Sequence, residues 1–361
     1  MAMYGNHILP QVRKQRVLHE VSLELTYKCN LDCFFCYNDR SKQGVPLSLE
    51  QYTSLLHDLA EMQTLYLMLT GGEPMVHPHF FQIGAVAKEL GFVVRVRTNG
   101  HSLSPQNARR LRDEVDPYCV EVSLHGATSD THDKQTRIPG SFDKLVKNIG
   151  HCKEVGLDVR VVSTPTAWNE HQLQEMSDLC DSIGVPLRFQ GPVAPRDDGD
   201  LTPLQITPKE ATWDAINDLY RANQGDNQTP ENKVSKSSKK SIEIPLTAIG
   251  KPIEEPSSTC SVGVAGVDID PYGNVLACMH LQESAGNLHT NSIQDIWNDS
   301  PLFKRARQRS IDAAKRFKDK APRQLGAHLF CLAVDENLKK TKQGQTIASE
   351  ENIACSDAEH D

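Results

Sequence analysis

The sequence predicts an α/β protein built on a parallel sheet. Six short strand-like stretches alternate strictly with helical ones across the first 190 residues. Such alternation implies right-handed crossovers and parallel pairing. Polar residues also collect where each stretch ends, at Glu73, Asn99, Ser123, His125, Ser163 and Gln190. In a parallel barrel or partial barrel those ends form one mouth, the usual place for chemistry.

The first strand is expected over residues 21–26, where apolar and polar side chains alternate. Behind it come Cys29, Cys33 and Cys36, three thiols within eight residues. Their loop leaves the strand at the functional end of the sheet. Three close thiolates suit a soft metal centre or an iron–sulfur cluster. A four-iron cubane held by three cysteines keeps one iron open to a ligand. A zinc site closed by a distant fourth ligand and three unrelated buried thiols are the plainer alternatives.

A helix should start at Ser48, with Gln51 completing a capping box and Leu49, Tyr52, Leu55, Leu56 and Leu59 forming its apolar stripe. The second strand, 65–70, runs into Gly71, Gly72, Glu73 and Pro74. A double glycine permits close approach of a ligand to the backbone. Glu73 offers an acceptor for an ammonium group; a plain turn is the alternative. Further strands are expected at 92–97, 119–124, 157–162 and 187–190, with the clearer helices over 103–115 and 142–155. Cys119, Cys152 and Cys180 fall inside these patterns as core thiols.

The 361 residues suffice for two domains at roughly 100–200 residues each. Hydrophobic content of 38% and charged content of 24% are those of a soluble globular protein. A net charge of −8 without a basic block argues against nucleic acid as partner. No apolar run approaches the roughly 20 residues that span a bilayer, so no membrane partner is expected. Ten cysteines without a secretion signal point to a reducing cytoplasm and thiols kept for metal.

After residue 190 the composition shifts. Residues 195–200 read as a loop, 208–222 as an amphipathic helix, and 223–241 as a polar stretch with little to bury. A hairpin follows, with strands on either side of Pro271, Tyr272, Gly273 and Asn274, and the second strand ends at Cys278. Cys260 precedes it; Cys331 and Cys355 follow. The polar tail 336–361 is expected to order only on cluster or partner binding.

The Cys29/Cys33/Cys36 loop, with Phe35 before its last cysteine and Tyr37 after it, resembles the cluster loop of the radical S-adenosylmethionine (SAM) superfamily. Gly71, Gly72, Glu73 and Pro74 resemble that family's motif for the SAM amino group. The resemblance implies a partial (β/α)6 TIM-like barrel, and places Phe35 near the SAM adenine. It also implies that Asn99 and Ser123 contact the methionyl or ribose part, with Tyr37 and Gln190 lining the same site. It pairs Arg137 with the SAM carboxylate, where a solvated loop charge is the alternative. His125 remains either a substrate-side acid or base or a lining residue.

Cys260, the hairpin, Gly286, Asn287 and Trp297 resemble the SPASM or twitch extension of that family. A full SPASM domain carries a later run of four cysteines, absent here. The departure points to one auxiliary [4Fe–4S] cluster on Cys260, Cys278 and Cys331, with Cys355 as fourth ligand or tail thiol. The expected organisation is a barrel at 1–192, a linker at 193–258, a SPASM/twitch-like domain at 259–335 and a tail at 336–361. The activity implied is reductive cleavage of SAM to a 5′-deoxyadenosyl radical. That radical would then take hydrogen from a ribosomal precursor peptide, leading to a crosslink, epimerisation or backbone excision. The short stretch before the first strand leaves no room for a leader-binding domain, so a separate leader-peptide-binding protein is expected, with flavodoxin or ferredoxin as reductant. A twitch-type dehydrogenase of a sugar or aminoglycoside alcohol and an iron–sulfur electron carrier are the other readings.

Overall fold

The computed structural model describes residues 9–224 and 263–308. The expected polar stretch from 225 onward, Cys260, Cys331, Cys355 and the tail 336–361 lie outside the described residues. The strands are β1 (Glu20–Glu24), β2 (Tyr66–Thr70), β3 (Val93–Thr98), β4 (Cys119–Ser123), β5 (Val159–Ser163), β6 (Leu187–Phe189), β7 (Gly266–Ile269), β8 (Asn274–Cys278) and β9 (Leu281–Asn287). The helices are α1 (Leu9–Gln15), α2 (Leu49–Glu61), α3 (Phe80–Glu89), α4 (Pro105–Arg110), α5 (Ser129–Thr136), α6 (Ser141–Glu154), α7 (Leu173–Ile183), α8 (Glu210–Gln224) and α9 (Ile293–Asp299). Residues 301–308 are also helical.

All strands belong to one sheet in the order β6-β5-β4-β3-β2-β1-β7-β8-β9. The strands β1 to β6 pair in parallel, giving the (β/α)6 partial barrel. The hairpin is not set apart from it. Strand β7 pairs in parallel with β1, placing Ser22 opposite Asp268, and β8 and β9 follow antiparallel. Every second residue faces the helices and is buried: Val21, Leu23, Leu67, Leu69, Val94, Val96, Val120, Val122, Val159 and Val161.

Local signals account for most helix ends. The Ser48 capping box forms as expected at the start of α2. The expected helix over 103–115 is shorter and broken. Ser104 caps it, Pro105 takes the first turn, and Leu111–Val115 widens into a π turn ending at left-handed Asp116. Cys119, Cys152 and Cys180 are buried free thiols in the core.

Candidate active site

The cysteine loop begins where β1 leaves the sheet, and three sets of contacts shape it. On one side it is fastened to the last turn of α5: Asp32 N donates to Thr136 O (3.1 Å) and Phe34 N to Gln135 O (2.9 Å). The Arg40 guanidinium donates to Leu31 O (2.6 Å). Cys29, Cys33 and Cys36 are free and partly exposed. Cys29 Sγ accepts from Leu31 N (3.4 Å) and Asn99 Nδ2 (3.6 Å). Burial pushes the thiols of Cys29 and Cys33 up, and the neighbouring sulfurs push Cys33 further. Thiolates packed this closely need a positive centre among them, so the donor set fits an iron–sulfur cluster. Among the described residues no three His, Cys, Asp or Glu side chains converge as a single metal ion requires. A cubane spreads its thiolates over separate irons and does not require that convergence.

The second side is the turn after β2. Gly72 N donates to Thr26 O (2.6 Å) and Glu73 N to Lys28 O (2.9 Å). Gly71 stands at φ +136°, where a Cβ would lie 2.5 Å from Thr26 O. The space freed by the two glycines is thus taken by the chain's own residues 26–28. Glu73 is fully buried. Its Oε1 accepts from Thr98 Oγ1 (2.7 Å) and Met75 N (3.1 Å), and its Oε2 from Asn99 N (2.8 Å). Its carboxylate therefore ties the turn to the end of β3. Pro74 opens a 3-10 turn, Pro74–Val76. Asn99 goes on to the cysteine loop, its Nδ2 donating to Asn30 Oδ1 (2.6 Å).

The third side is the hairpin. Lys42 Nζ pairs with buried Asp270 (3.1 Å) and donates to Gln282 Oε1 (3.1 Å). Tyr272 OH donates to Lys42 O (2.7 Å), and Leu47 N to Pro271 O (3.2 Å). Tyr37 OH donates to Glu24 (3.1 Å), and its ring meets His280 edge-on at 5.2 Å.

The remaining expected residues scatter more widely. Phe35 stands edge-on to His125 (4.7 Å). His125 is buried; Thr164 N donates to its Nδ1, and burial lowers its pKa to about 3. It lines the fold as a neutral ring. Ser123 sits half-buried at the end of β4. Arg137 stacks on Phe34 (4.8 Å) and pairs with Asp32 (3.4 Å) on the outer rim. Gln190 Oε1 accepts from Arg97 and Arg188 (3.1 Å each). Cys278 is partly exposed at the end of β8.

Sequence reasoning missed the charged inner face of the sheet. Glu20, Glu24, Arg95, Arg97, Glu121, Arg188 and Asp268 all project there. Burial and the charge of Asp268 push Glu24 up to about 8, and burial pushes Asp268 up to about 6. The signal was present: a parallel sheet covered on both faces reads as continuous apolar runs, and charges at every second position say that one face encloses something polar.

Residues 23–183 match the radical SAM superfamily, and residues 260–323 match SPASM, an iron–sulfur cluster-binding domain. The second match includes Cys260 and Cys278 and stops short of Cys331 and Cys355. The chain is 30% identical to the mycofactocin maturase MftC of Mycobacterium tuberculosis (strain CDC 1551 / Oshkosh) over 298 residues, 79% of this chain and 71% of that one. It is 24% identical to the AdoMet-dependent heme synthase of Methanosarcina barkeri, covering 80% and 84%. Streptococcus suis SuiB bound to precursor peptide SuiA shares the fold, with TM-score 0.63, 16% identity, and 90% and 73% covered. The anSMEcpe structure with bound AdoMet does so too, with TM-score 0.62, 14% identity, and 92% and 99% covered. No helix among the described residues is long and apolar enough to cross a membrane. With a cluster loop on the parallel barrel and a hairpin joined to its first strand, this chain belongs to the radical SAM superfamily as an enzyme with a SPASM domain, whose cofactors are SAM, a [4Fe–4S] cluster and auxiliary iron–sulfur.

Proposed function

We propose that this enzyme modifies a ribosomally made precursor peptide by hydrogen abstraction. The supporting observation is the 30% identity to mycofactocin maturase, which extends over 79% of this chain and so beyond the span of the radical SAM match alone. In this reading Cys29, Cys33 and Cys36 hold the SAM cluster, and Cys260, Cys278 and Cys331 hold the auxiliary one, with Cys355 as its fourth ligand or a tail thiol. The cluster and SAM together supply a 5′-deoxyadenosyl radical able to take an unactivated hydrogen.

The chain's own residues bind, orient and exclude water. Asn99, donating to Cys29 Sγ, orients that sulfur. Glu73 holds Asn99 in place through its backbone N–H. In this reading Phe35, Tyr37, Ser123 and Arg137 are the residues that contact SAM. The buried Glu24 keeps its proton, and its Oε1 accepts a hydrogen bond from Tyr37 OH beside the seam between β1 and β7. A separate protein that binds the leader peptide and a low-potential reductant complete the system.

The test is co-expression with a small peptide encoded beside the gene, followed by mass spectrometry. A mass change that disappears in Cys33→Ala is expected; an unchanged mass overturns the peptide substrate. A second reading, a small-molecule substrate, draws on the similarity to heme synthase. It predicts an unmodified peptide alongside intact SAM cleavage.

A further inference from the structure

On the inner face of the sheet three arginines gather around one buried carboxylate. Arg97 of β3 donates through Nε (2.9 Å) and Nη2 (2.6 Å) to Glu121 Oε2 on β4. Arg188 of β6 reaches the other oxygen of the same carboxylate at 3.4 Å. Arg95 of β3 stands 3.9 Å from it and pairs with Glu20 of β1. Arg95 has Glu20 as a second partner and Arg97 also feels Asp268 of β7, so Arg188 is the guanidinium whose only carboxylate is a shared one.

Exposure divides these groups. The Glu121 side chain is 5% exposed, whereas that of Arg188 is 54% exposed. The anion is sealed in the wall and the cation looks into the barrel. Among the described residues, Arg188 Nε and Nη1 and Arg97 Nη1 have no hydrogen-bond partner. The Gln190 side-chain oxygen binds both arginines, which fixes their Nη2 groups side by side. Val162, level with Arg188 in the neighbouring strand, supplies an apolar border. Asp268 of β7 is near enough to Arg97 to feel its charge, and Glu24 stands at the end of β1 beside Tyr37.

A fork of N–H donors matches a carboxylate bidentately. The geometry points to a carboxylate-binding subsite on Arg97 and Arg188, braced by Glu121 and Gln190, that takes a carboxylate of the substrate. The assignment to substrate rests on the reading that the substrate enters the inner face of the barrel. The carboxylate is either a peptide C-terminus or an Asp or Glu side chain.

The test is arginine modification of the reconstituted full chain with phenylglyoxal, mapped by mass spectrometry. Succinate is the probe, succinamide its uncharged counterpart and inorganic phosphate the competing anion. Succinate at twice its dissociation constant protects Arg188 about threefold. Succinamide leaves Arg188 unprotected, and Arg221, similarly exposed at 52% and paired with Asp218, is unaffected by either. Equal labelling with succinate and succinamide, equal protection of Arg221, or stronger protection by phosphate overturns the subsite.

A second arm uses the peptide identified by co-expression, the same peptide with a C-terminal amide, and versions with Asp and Glu neutralised. Protection lost on amidation identifies the C-terminus, and protection lost on neutralisation identifies a side chain. Protection unchanged in all versions overturns a substrate carboxylate. Arg188→Gln should raise KM for the peptide while kcat holds, with partial rescue by Arg188→Lys. If no peptide is modified, the peptide reading fails while the succinate arm still decides the subsite.

Discussion

Gly72→Ala puts the base of the cysteine loop under direct strain. A Cβ there would stand 2.5 Å from Lys28 O and 2.7 Å from Tyr27 O, about 0.9 Å inside the 3.4 Å at which ordinary contact begins. Both atoms are backbone, so no side chain can swing aside. Relief means pulling residue 28 away, and residue 28 leads directly into Cys29. That movement breaks Gly72 N to Thr26 O and Glu73 N to Lys28 O. Two hydrogen bonds at about 1 kcal/mol each and overpacking of about 1–3 kcal/mol sum to roughly 3–5 kcal/mol. Against a typical stability of about 5–15 kcal/mol this is a large fraction. With an unfolding entropy of about 2.1 cal/mol/K per residue over 361 residues, each kcal/mol is worth roughly 1.3 °C, so Tm should fall by about 4–7 °C. The assay is calorimetry of the anaerobically reconstituted protein, with iron content and the low-temperature EPR signal of the reduced SAM cluster measured alongside. A variant that keeps its Tm and its full iron would refute the claim that the glycines serve the loop's base.

Other perturbations follow from the same contacts. Glu24 is pushed up to about 8 by burial first and by Asp268 second. The folded state therefore holds a proton that the unfolded state releases above about pH 4.5. Stability falls as pH rises between those values, by up to about 1.4 kcal/mol per unit. Glu24→Gln should flatten that slope in Tm scans from pH 5 to 9. Glu121→Gln strips the buried counter-ion from Arg97 and Arg188 and should cost about 3 kcal/mol, read by denaturant unfolding; a loss under 1 kcal/mol would contradict the pairing. Tyr272→Phe loses only the bond to Lys42 O and should lower Tm by about 1–2 °C. Cys278→Ala, combined with Cys260→Ala, should remove about four irons on quantitation; full iron would remove the auxiliary cluster from the account.

The regular elements were legible where a local signal governs them. Ser48 and Gln51 announce α2, and alternation places β1 to β6 within two residues of where they lie. The three thiols were legible from spacing alone. Other features depend on distant partners. Nothing near Glu73 says that Thr98 and Asn99 will occupy its oxygens. Nothing near β7 says that it will pair with β1, a strand some 245 residues earlier. Arg97, Glu121 and Arg188 each look like an ordinary strand charge, and only the sheet brings them to one wall.

The pairing of β7 with β1 ties the two iron-binding regions mechanically. The cysteine loop leaves β1, and its far end, at Lys42 and Leu47, is fastened to the hairpin by Asp270, Pro271 and Tyr272. Asp270 is fully buried, and its carboxylate also accepts from Tyr272 N, Asn274 N and Asn274 Nδ2. The Lys42 ammonium thus sits on an anion already locked by the hairpin turn. A shift of the hairpin must either break a buried ion pair or drag the loop with it. Breaking one costs about 3–5 kcal/mol, so the loop follows. The position of the N-terminal thiols is therefore set in part by residues more than 220 positions later in the chain.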